Sequence, residues 1–153
     1  MNLNKPEVLS RHHAERAYAL LRVILGINIA IHGISRIVGG PAAFASALVP
    51  LFAKTPLPSG MVYGYALALP WMEALVGLIV LGGVFSVSAY TAGMILMATL
   101  TFGSALRQDW ESAGLQLIYA VIYAGLLSFI PLNRVSFDGI LRARSLRAQS
   151  EII

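Results

Sequence analysis

Long apolar runs separated by short polar breaks dominate the pattern of this sequence. Four of the runs contain the roughly 20 mostly apolar residues that an α-helix needs to cross the hydrocarbon core of a membrane. They cover residues 17–38, 61–84, 85–106 and 113–132. The pattern therefore predicts an all-α fold, an integral membrane four-helix bundle.

The breaks between the runs predict how the helices are connected. Gly82 and Gly83 leave room for only a tight turn after the second span, and residues 107–111 form a short link after the third. We therefore expect these spans to be antiparallel neighbours. The first link is longer, and its residues 42–53 carry apolar side chains at helical spacing but are too few to cross the membrane. They predict a short interfacial or re-entrant segment between the first two spans.

Composition narrows the class of protein. Of the 153 residues, 58% are hydrophobic and only 12% are charged, whereas about 25% are charged in a typical soluble domain. This balance argues against a soluble domain and against an intrinsically disordered chain. The chain has no cysteine, which removes disulfides, cysteine-ligated metals and iron–sulfur clusters from its own chemistry. We interpret residues 1–153 as a single membrane domain.

The positive charges are concentrated in two tails, residues 1–16 and 133–153. The formal net charge is +4, and most of the 11 Lys and Arg residues lie in these tails. Because an even number of spans places both tails on one side, the positive-inside rule predicts that both termini are cytoplasmic, in an inner membrane. The spans leave no basic face for a nucleic acid duplex. We therefore expect membrane lipids among the partners and no nucleic acid.

Polar side chains of the first span share one side of the helix. At 100° per residue, four of them fall within an arc of about 120°. They are Arg22, Asn28, His32 and Arg36. The opposite side is aliphatic and suits lipid, so the polar side is expected to face other helices.

Glu73 is the only charged residue of the second span and lies near its middle. An ionised carboxylate at this depth is costly unless it is paired, hydrated or protonated. His32 and Arg36 match its depth better than Arg22 does, which predicts a buried acid–base group open toward the outer side. A purely structural interpretation, in which an arginine–glutamate pair fixes the helix register, stays open.

Three polar residues of the fourth span, Gln116, Tyr119 and Tyr123, share one face. We expect them to contribute to a polar interior common to all four spans. For either tyrosine, simple packing with the hydroxyl bonded to a carbonyl is an equally good interpretation.

No metal or haem site is evident in the sequence. His12 and His13 are adjacent, so their side chains point apart on a helix and do not form a metal site. His32 is the only histidine within a span, which excludes a bis-histidine haem. A haem with one histidine and one methionine ligand has no positive support.

Short motifs of charged, glycine and aromatic residues mark the spans and the segment that follows them. The motifs are Arg22-x3-Gly26, His32-Gly33-x2-Arg36, Leu69-Pro70-Trp71-Met72-Glu73-x3-Gly77, Gly82-Gly83, Asp109-Trp110 and Asn133-x2-Ser136-x-Asp138-x2-Leu141. In this order and at these depths, the chain resembles the DoxX/DoxD group of small four-span membrane proteins over about residues 18–142. The resemblance implies a bundle linked to respiratory redox chemistry, similar to a small subunit of thiosulfate:quinone oxidoreductase. It also implies that the intramembrane polar residues kept in that group correspond to Arg22, His32, Arg36 and Glu73.

We therefore predict a membrane subunit of a quinone-linked respiratory redox system, with an intramembrane polar pocket that handles a quinone headgroup and protons. Glu73 and His32 are the candidate catalytic residues. The candidate quinone-binding residues are Arg22, Arg36, Gln116, Tyr119 and Tyr123. Electrons are expected from a protein partner in a respiratory or redox complex, or from a soluble reductant.

Two other functions stay open at this point. One is a non-catalytic subunit that stabilises or assembles a larger respiratory membrane complex. The weaker one is a transporter of small solutes or protons that uses Glu73. The sequence shows no inverted repeat of the kind that many transporters carry.

Overall fold

The computed structural model describes the backbone of residues 5–150 and the side chains of residues 9–145 and 148. Six α-helices and two short 3-10 turns make up the secondary structure, and the described residues contain no strand. The helices are α1 (Lys5–Val38), α2 (Pro41–Leu48), α3 (Ser59–Gly82), α4 (Ser86–Leu106), α5 (Trp110–Ser128) and α6 (Phe137–Ser150), and the turns are Val49–Phe52 and Ile130–Leu132. The ends of the two predicted tails, residues 1–4 and 151–153, lie outside the described residues.

Four of the helices, α1, α3, α4 and α5, are long and apolar enough to cross a membrane, as in a multi-pass membrane protein. The all-α fold class predicted from the sequence is confirmed. The helix α1 begins at Lys5, so most of the predicted N-terminal tail is helical and continuous with the first span. The last span ends at Ser128 because Pro131 follows, and proline disfavours helix at the residue before it.

Contacts between the helices fix the topology of the bundle. Ser104 near the end of α4 accepts a hydrogen bond from Gln116 near the start of α5, so these two helices are antiparallel. Arg22 of α1 donates a hydrogen bond to the carbonyl of Val135, which follows α5. The beginning of α1 and the segment after α5 therefore share one end of the bundle, which we call the terminal end. The opposite end, where α2 lies, is the loop end.

Small residues bring α1 and α3 into direct backbone contact. Gly33 of α1 lies against Ala74 of α3, and Gly77 of α3 lies against Ala30 of α1. A Cβ atom on Gly77 would overlap the backbone of Ala30, so only glycine fits there without movement. In lipid the hydrophobic effect does not drive helices together. Close approach of this kind lets dispersion forces do so instead. We call these four residues, together with Gly26, the glycine seam.

Three tyrosines fill the core between α1, α4 and α5. Tyr18, Tyr90 and Tyr123 are all buried. The Tyr18 hydroxyl lies 2.8 Å from the carbonyl oxygen of Leu126 and 3.2 Å from the Tyr90 hydroxyl. The Tyr123 ring packs directly on Gly93. The α4–α5 pair is thus joined to α1 by aromatic packing near the terminal end.

The side of α1 that the sequence assigns to lipid is exposed along its length. Its exposed aliphatic residues are Leu20, Ile24, Ile27, Ile31, Ile34 and Val38. The helical-wheel prediction of a lipid-facing side for the first span therefore agrees with the structure.

The segment between the first two spans folds against α3 at the loop end without crossing the membrane. The eight residues of α2 reach only about 12 Å. Pro41 and Pro50 stand in the first turns of α2 and of the 3-10 turn, where a missing N–H group has no consequence. Ala45, which belongs to α2, is fully buried. The structure therefore contains the short segment that the sequence predicts.

We predict that Gly77→Ala destabilises the protein, because the added methyl group meets the backbone of Ala30. Overpacking costs about 1–3 kcal/mol, which exceeds the roughly 1 kcal/mol that alanine gains over glycine inside a helix. Thermal unfolding in detergent should show a lower midpoint. Gly64→Ala is the matched control, since it lies in the same helix with open space around it, and it should be neutral or stabilising. Equal midpoints for the two variants would contradict the close packing.

Candidate functional site

Glu73 of α3 and Arg36 of α1 form an ion pair. Both carboxylate oxygens of Glu73 lie within hydrogen-bonding distance of Nη1 of Arg36. Glu73 is buried, whereas the Arg36 side chain is partly exposed. The glycine seam sets their register, because Ala74 next to Glu73 lies against Gly33, three residues before Arg36. The carboxylate thus has the charged partner that its depth requires.

A cavity of about 620 Å³ lies beside Arg36 at the loop end. Its wall is built by α1, α2, α3, α4 and α5 together with the 3-10 turn after α2, and most of the lining side chains are aliphatic or aromatic. The polar side chains on the wall are Arg36, Tyr65, Thr99, Ser104, Arg107, Ser112 and Gln116. A mostly apolar cavity of this size with a few convergent polar groups is typical of a small-molecule site.

The cavity is continuous with the lipid-facing surface between α3 and α4. Three of its apolar lining residues, Met61, Ile95 and Phe102, are exposed. In a membrane these side chains contact acyl chains. A molecule dissolved in the bilayer can therefore enter the cavity sideways without passing through water.

Two arginines are held at the cavity by aromatic rings of the segment between α1 and α3. The guanidinium carbon of Arg36 lies 4.7 Å from the centre of the Phe44 ring, and that of Arg107 lies 5.2 Å from the centre of the Phe52 ring. Cation–π contacts contribute about 0.5–2 kcal/mol, with the larger values in desolvated places. The segment therefore closes the loop end of the cavity and positions both positive charges there.

Two lining residues have buried polar atoms without a hydrogen-bond partner in the described part of the chain. These atoms are Nε of Arg107 and Oε1 of Gln116. Other atoms of both side chains are engaged, since Nη2 of Arg107 lies 2.9 Å from Oδ2 of Asp109 and Nε2 of Gln116 donates to Oγ of Ser104 at 3.1 Å. A buried polar atom left unpaired costs about 1–3 kcal/mol. A ligand that offered one acceptor and one donor would recover this cost.

Asp109 keeps a negative charge beside Arg107 outside the spans. Its Oδ1 accepts a hydrogen bond from the backbone N–H of Ser112 at 3.1 Å, which caps the start of α5. Hydrogen bonds from Ser112, followed by the Arg107 guanidinium, lower the pKa of Asp109 below its usual value. The charge of Arg107 is therefore balanced locally.

His32, the predicted catalytic partner of Glu73, lies elsewhere. Its side chain is exposed on the lipid-facing part of α1, in a groove that it shares with Asn28. Residue 32 is roughly 120° around the helix from the glycine seam, whereas residue 36 is roughly 90° away. The longer Arg36 side chain spans that angle and the imidazole does not. The structure thus brings Arg36 to Glu73 and leaves His32 outside the pair.

The two tyrosines predicted as quinone ligands do not line the cavity. Tyr123 is fully buried on Gly93, and its hydroxyl has no partner within the described part of the chain. Tyr119 is partly buried against the core. Of the predicted fourth-span residues, only Gln116 lines the cavity. Both tyrosines pack against the core, but the carbonyl partner that the packing interpretation expects is not present for the Tyr123 hydroxyl among the residues described.

Arg22 has a structural place at the terminal end. Its Nη1 donates to the carbonyl oxygens of Val80, at 2.9 Å, and of Leu81, and its Nη2 donates to that of Val135 at 2.9 Å. The last carbonyls of a helix lack partners within the helix, so Arg22 satisfies the end of α3. It lies about 21 Å along α1 from Arg36. The structure therefore does not place this predicted quinone ligand at the cavity.

The motifs at residues 82–83 and 133–138 meet around Arg22. Asp138 accepts hydrogen bonds from the backbone N–H groups of Phe85, at 3.0 Å, and Ser86, at 2.7 Å, and so caps α4. Asn133 donates to the Ser86 hydroxyl at 2.7 Å. Gly83 has a φ of 62°, and a Cβ there would meet the Arg22 guanidinium. We call this assembly the terminal junction, and it joins α6 to the turn between α3 and α4.

Several cavity residues were not singled out from the sequence. They are Phe44, Phe52, Tyr65, Thr99 and Arg107. The Tyr65 and Thr99 hydroxyls lie 2.6 Å apart and bridge α3 and α4. The sequence placed Arg107 only in the short link after the third span, and its positive charge was the one signal for it. No spacing rule connects an arginine after α4 with a ring before α3.

Comparisons of the chain with protein-family models, with curated proteins and with solved structures give no match. The resemblance to the DoxX/DoxD group therefore stays a prediction from the sequence motifs. Among the side chains that the structure describes, residues 9–145 and 148, no group of three or more metal-ligating residues lies together.

We predict that Asp138→Ala weakens the terminal junction in a pH-dependent way. Partial burial raises the pKa of Asp138, but hydrogen bonds from Ser86 and Phe85 and the charge of Arg142 outweigh it, so the net pKa is lowered. The carboxylate therefore stabilises the fold at neutral pH, and this contribution disappears as the pH falls through the lowered pKa. The loss at pH 7 should be about 0.5–2 kcal/mol, as for other helix caps.

The measurement is the difference in unfolding midpoint between wild type and variant, taken from pH 7 down to about pH 3. The difference should shrink with acid. Glu111→Ala, which removes an exposed carboxylate from the first turn of α5, is the control and should show a smaller difference at pH 7. A difference in unfolding midpoint between wild type and Asp138→Ala that stays constant with pH would refute a charged cap.

Proposed function

We propose that the cavity at the loop end binds the headgroup of a lipid-soluble quinone, and that the protein is a membrane subunit of a quinone-linked redox system. One observation carries the proposal: an apolar cavity open to the bilayer has the unsatisfied polar atoms of Arg107 and Gln116 in its lining residues. A quinone has matching parts. Its isoprenoid tail suits the opening at Met61, Ile95 and Phe102, and its ring oxygens suit the polar wall.

Arg107 and Gln116 suit the two redox forms of such a ligand in different ways. Nε of Arg107 is a donor and suits a carbonyl oxygen, whereas Oε1 of Gln116 is an acceptor and suits a hydroxyl group. A bound quinone would take up two electrons and two protons on reduction to the quinol, and would release them on oxidation. A site with both a free donor and a free acceptor accommodates the oxidised and the reduced ring.

Glu73 does not itself line the cavity, and it is proposed to exchange protons with the site from its position behind Arg36. Arg36 lines the cavity and holds the carboxylate, so the pair connects the buried acid to the ligand space. A carboxylate positioned by a fixed partner suits general acid–base work. Arg22, His32, Tyr119 and Tyr123 take no part in the proposed site, since their side chains do not line it.

The sequence motifs and charges add two elements to the proposal. The resemblance to the DoxX/DoxD group supports a place in respiratory redox chemistry, with electrons supplied by a protein partner or a soluble reductant. The basic tails support a cytoplasmic terminal end in an inner membrane. On that orientation the cavity lies in the outer half of the bilayer.

We predict that Arg107→Lys and Gln116→Leu weaken quinone binding. The lysine variant keeps the positive charge but removes the Nε donor, and a charge-assisted hydrogen bond of about 1.5–3 kcal/mol corresponds to a loss of about 10- to 100-fold. The leucine variant loses a neutral hydrogen bond, which corresponds to a loss of about 2- to 10-fold. The measurement is a titration of a short-tailed ubiquinone into protein in lipid nanodiscs, followed by tryptophan fluorescence.

Thr91→Ala, at an exposed site of α4 outside the cavity, is the control and should bind like wild type. If neither cavity variant changes the affinity, or if wild type does not bind the quinone, the proposal fails. An assembly subunit of a larger complex then becomes the better hypothesis.

A separate prediction distinguishes a proton-exchanging Glu73 from a structural one. Glu73→Gln leaves Arg36 as an uncompensated charge, and breaking a buried pair costs about 3–5 kcal/mol. The double variant Arg36→Gln/Glu73→Gln removes both charges and should regain much of this stability. We expect it to remain inactive in quinone turnover with membrane reductants. Turnover that recovers together with the unfolding midpoint would assign the pair a structural role only.

A further inference from the structure

Tyr65 of α3 and Thr99 of α4 line the cavity, and the proposed quinone site does not yet use their hydroxyl groups. The two hydroxyl oxygens lie 2.6 Å apart, so they share a hydrogen bond that either group could donate. Tyr65 is half-buried and Thr99 is exposed, and the bond between them is itself exposed. This bond therefore lies where a ligand in the cavity can reach it.

A third atom decides which of the two hydroxyls donates. Oγ1 of Thr99 lies 2.8 Å from the backbone carbonyl oxygen of Leu96. A carbonyl oxygen carries no proton, so Thr99 has to donate its only hydroxyl proton to Leu96. The hydrogen bond between Tyr65 and Thr99 is then donated by Tyr65. Both hydroxyl protons are thus used within the protein.

The Tyr65 oxygen consequently presents only lone pairs to the cavity. A phenol oxygen accepts hydrogen bonds as well as donating one, and the acyl chains beside the exposed part of α4 supply no donor for it. The wall at Tyr65 therefore offers an acceptor and no donor. Arg107 lies at a different height, since Thr99 precedes it by eight positions, which is about 12 Å along a helix.

We propose that Tyr65 makes the cavity selective for the reduced form of the ligand, a lipid-soluble quinol. A ring held by Arg107 turns its opposite oxygen toward Tyr65. A quinol hydroxyl donates a hydrogen bond to the Tyr65 oxygen, whereas a quinone carbonyl has only lone pairs and stays unbonded there. Nε of Arg107 does not distinguish the two forms, because it donates to a carbonyl and to a hydroxyl oxygen alike. The selectivity rests on the proposed quinone site and names the redox form that this site takes up.

The wild-type protein should bind a short-tailed ubiquinol about 2- to 10-fold more tightly than the matching ubiquinone, the range that one neutral hydrogen bond supplies. The measurement is isothermal titration calorimetry without oxygen, on the full chain in lipid nanodiscs. If neither form binds, the proposed site fails and the selectivity fails with it. If both forms bind and the quinone binds at least as tightly as the quinol, the site stands and the selectivity alone is refuted.

Thr99→Val tests the direction of the hydrogen bond. Valine keeps a β-branched side chain but removes the acceptor of the Tyr65 proton, so the phenol becomes free to donate to a carbonyl. Quinone affinity should rise about 2- to 10-fold, while quinol affinity should stay near the wild-type value. Equal losses for both forms would show that Thr99 only supports the packing of α3 and α4, and would overturn the proposal.

Tyr65→Phe provides a second, opposite test. It removes the acceptor itself, so quinol affinity should fall about 2- to 10-fold and quinone affinity should not fall. The matched control is Thr91→Val, because the Thr91 hydroxyl donates to the carbonyl of Val87 on the same helix, at 2.9 Å, outside the cavity. The control should keep the wild-type ratio of quinol to quinone affinity. A Tyr65→Phe variant with that same ratio would refute the role of Tyr65 in selecting the quinol.

Discussion

In hydrocarbon, a carboxylate, a guanidinium or a free backbone carbonyl has no water to bond to, so each polar group of a membrane helix needs a partner from the protein. This constraint accounts for most of the polar contacts inside the bundle. Glu73 takes its partner from Arg36 on the neighbouring helix. Arg22 donates hydrogen bonds to the carbonyls at the end of α3, and Asp138 accepts hydrogen bonds from the N–H groups at the start of α4. The charged groups that enter the spans thereby also fix how the helices are connected.

The two ends of the bundle meet this constraint differently. At the terminal end, the side chains of Arg22 and Asp138 bond to backbone groups, although Nε of Arg22 and Oδ1 of Asn133 are buried without a partner in the described part of the chain. At the loop end, Arg107 and Gln116 retain buried atoms without partners beside a cavity open to lipid. A protein that needed only to be stable could have used apolar side chains there. Since unpaired polar atoms occur at both ends, the cavity is the feature that locates the candidate site.

How far the sequence predicts the structure depends on whether a feature is local. The spans follow from the length of apolar runs, and membrane depth limits the partner of Glu73 to His32 or Arg36, so both of these features could be predicted from the sequence. The helical wheel could not separate His32 from Arg36, because both lie within one arc and only the position of α3 decides which side chain reaches Glu73. Arg107 was missed for a related reason. Its contact with the Phe52 ring joins two links that are distant in sequence, and no periodicity encodes such a contact.

The glycine seam connects the packing of the bundle to the chemistry of the site. Because Gly33 lies on the backbone of Ala74, the rise of about 1.5 Å per residue in each helix sets the height at which Arg36 meets Glu73. Backbone contact leaves little freedom for one helix to slide along the other, so the register does not depend on the ion pair alone. The packing and the ion pair therefore act together. If Glu73 were protonated, Arg36 would lose its charged partner, but the backbone contact of the glycine seam would still keep the two helices in register.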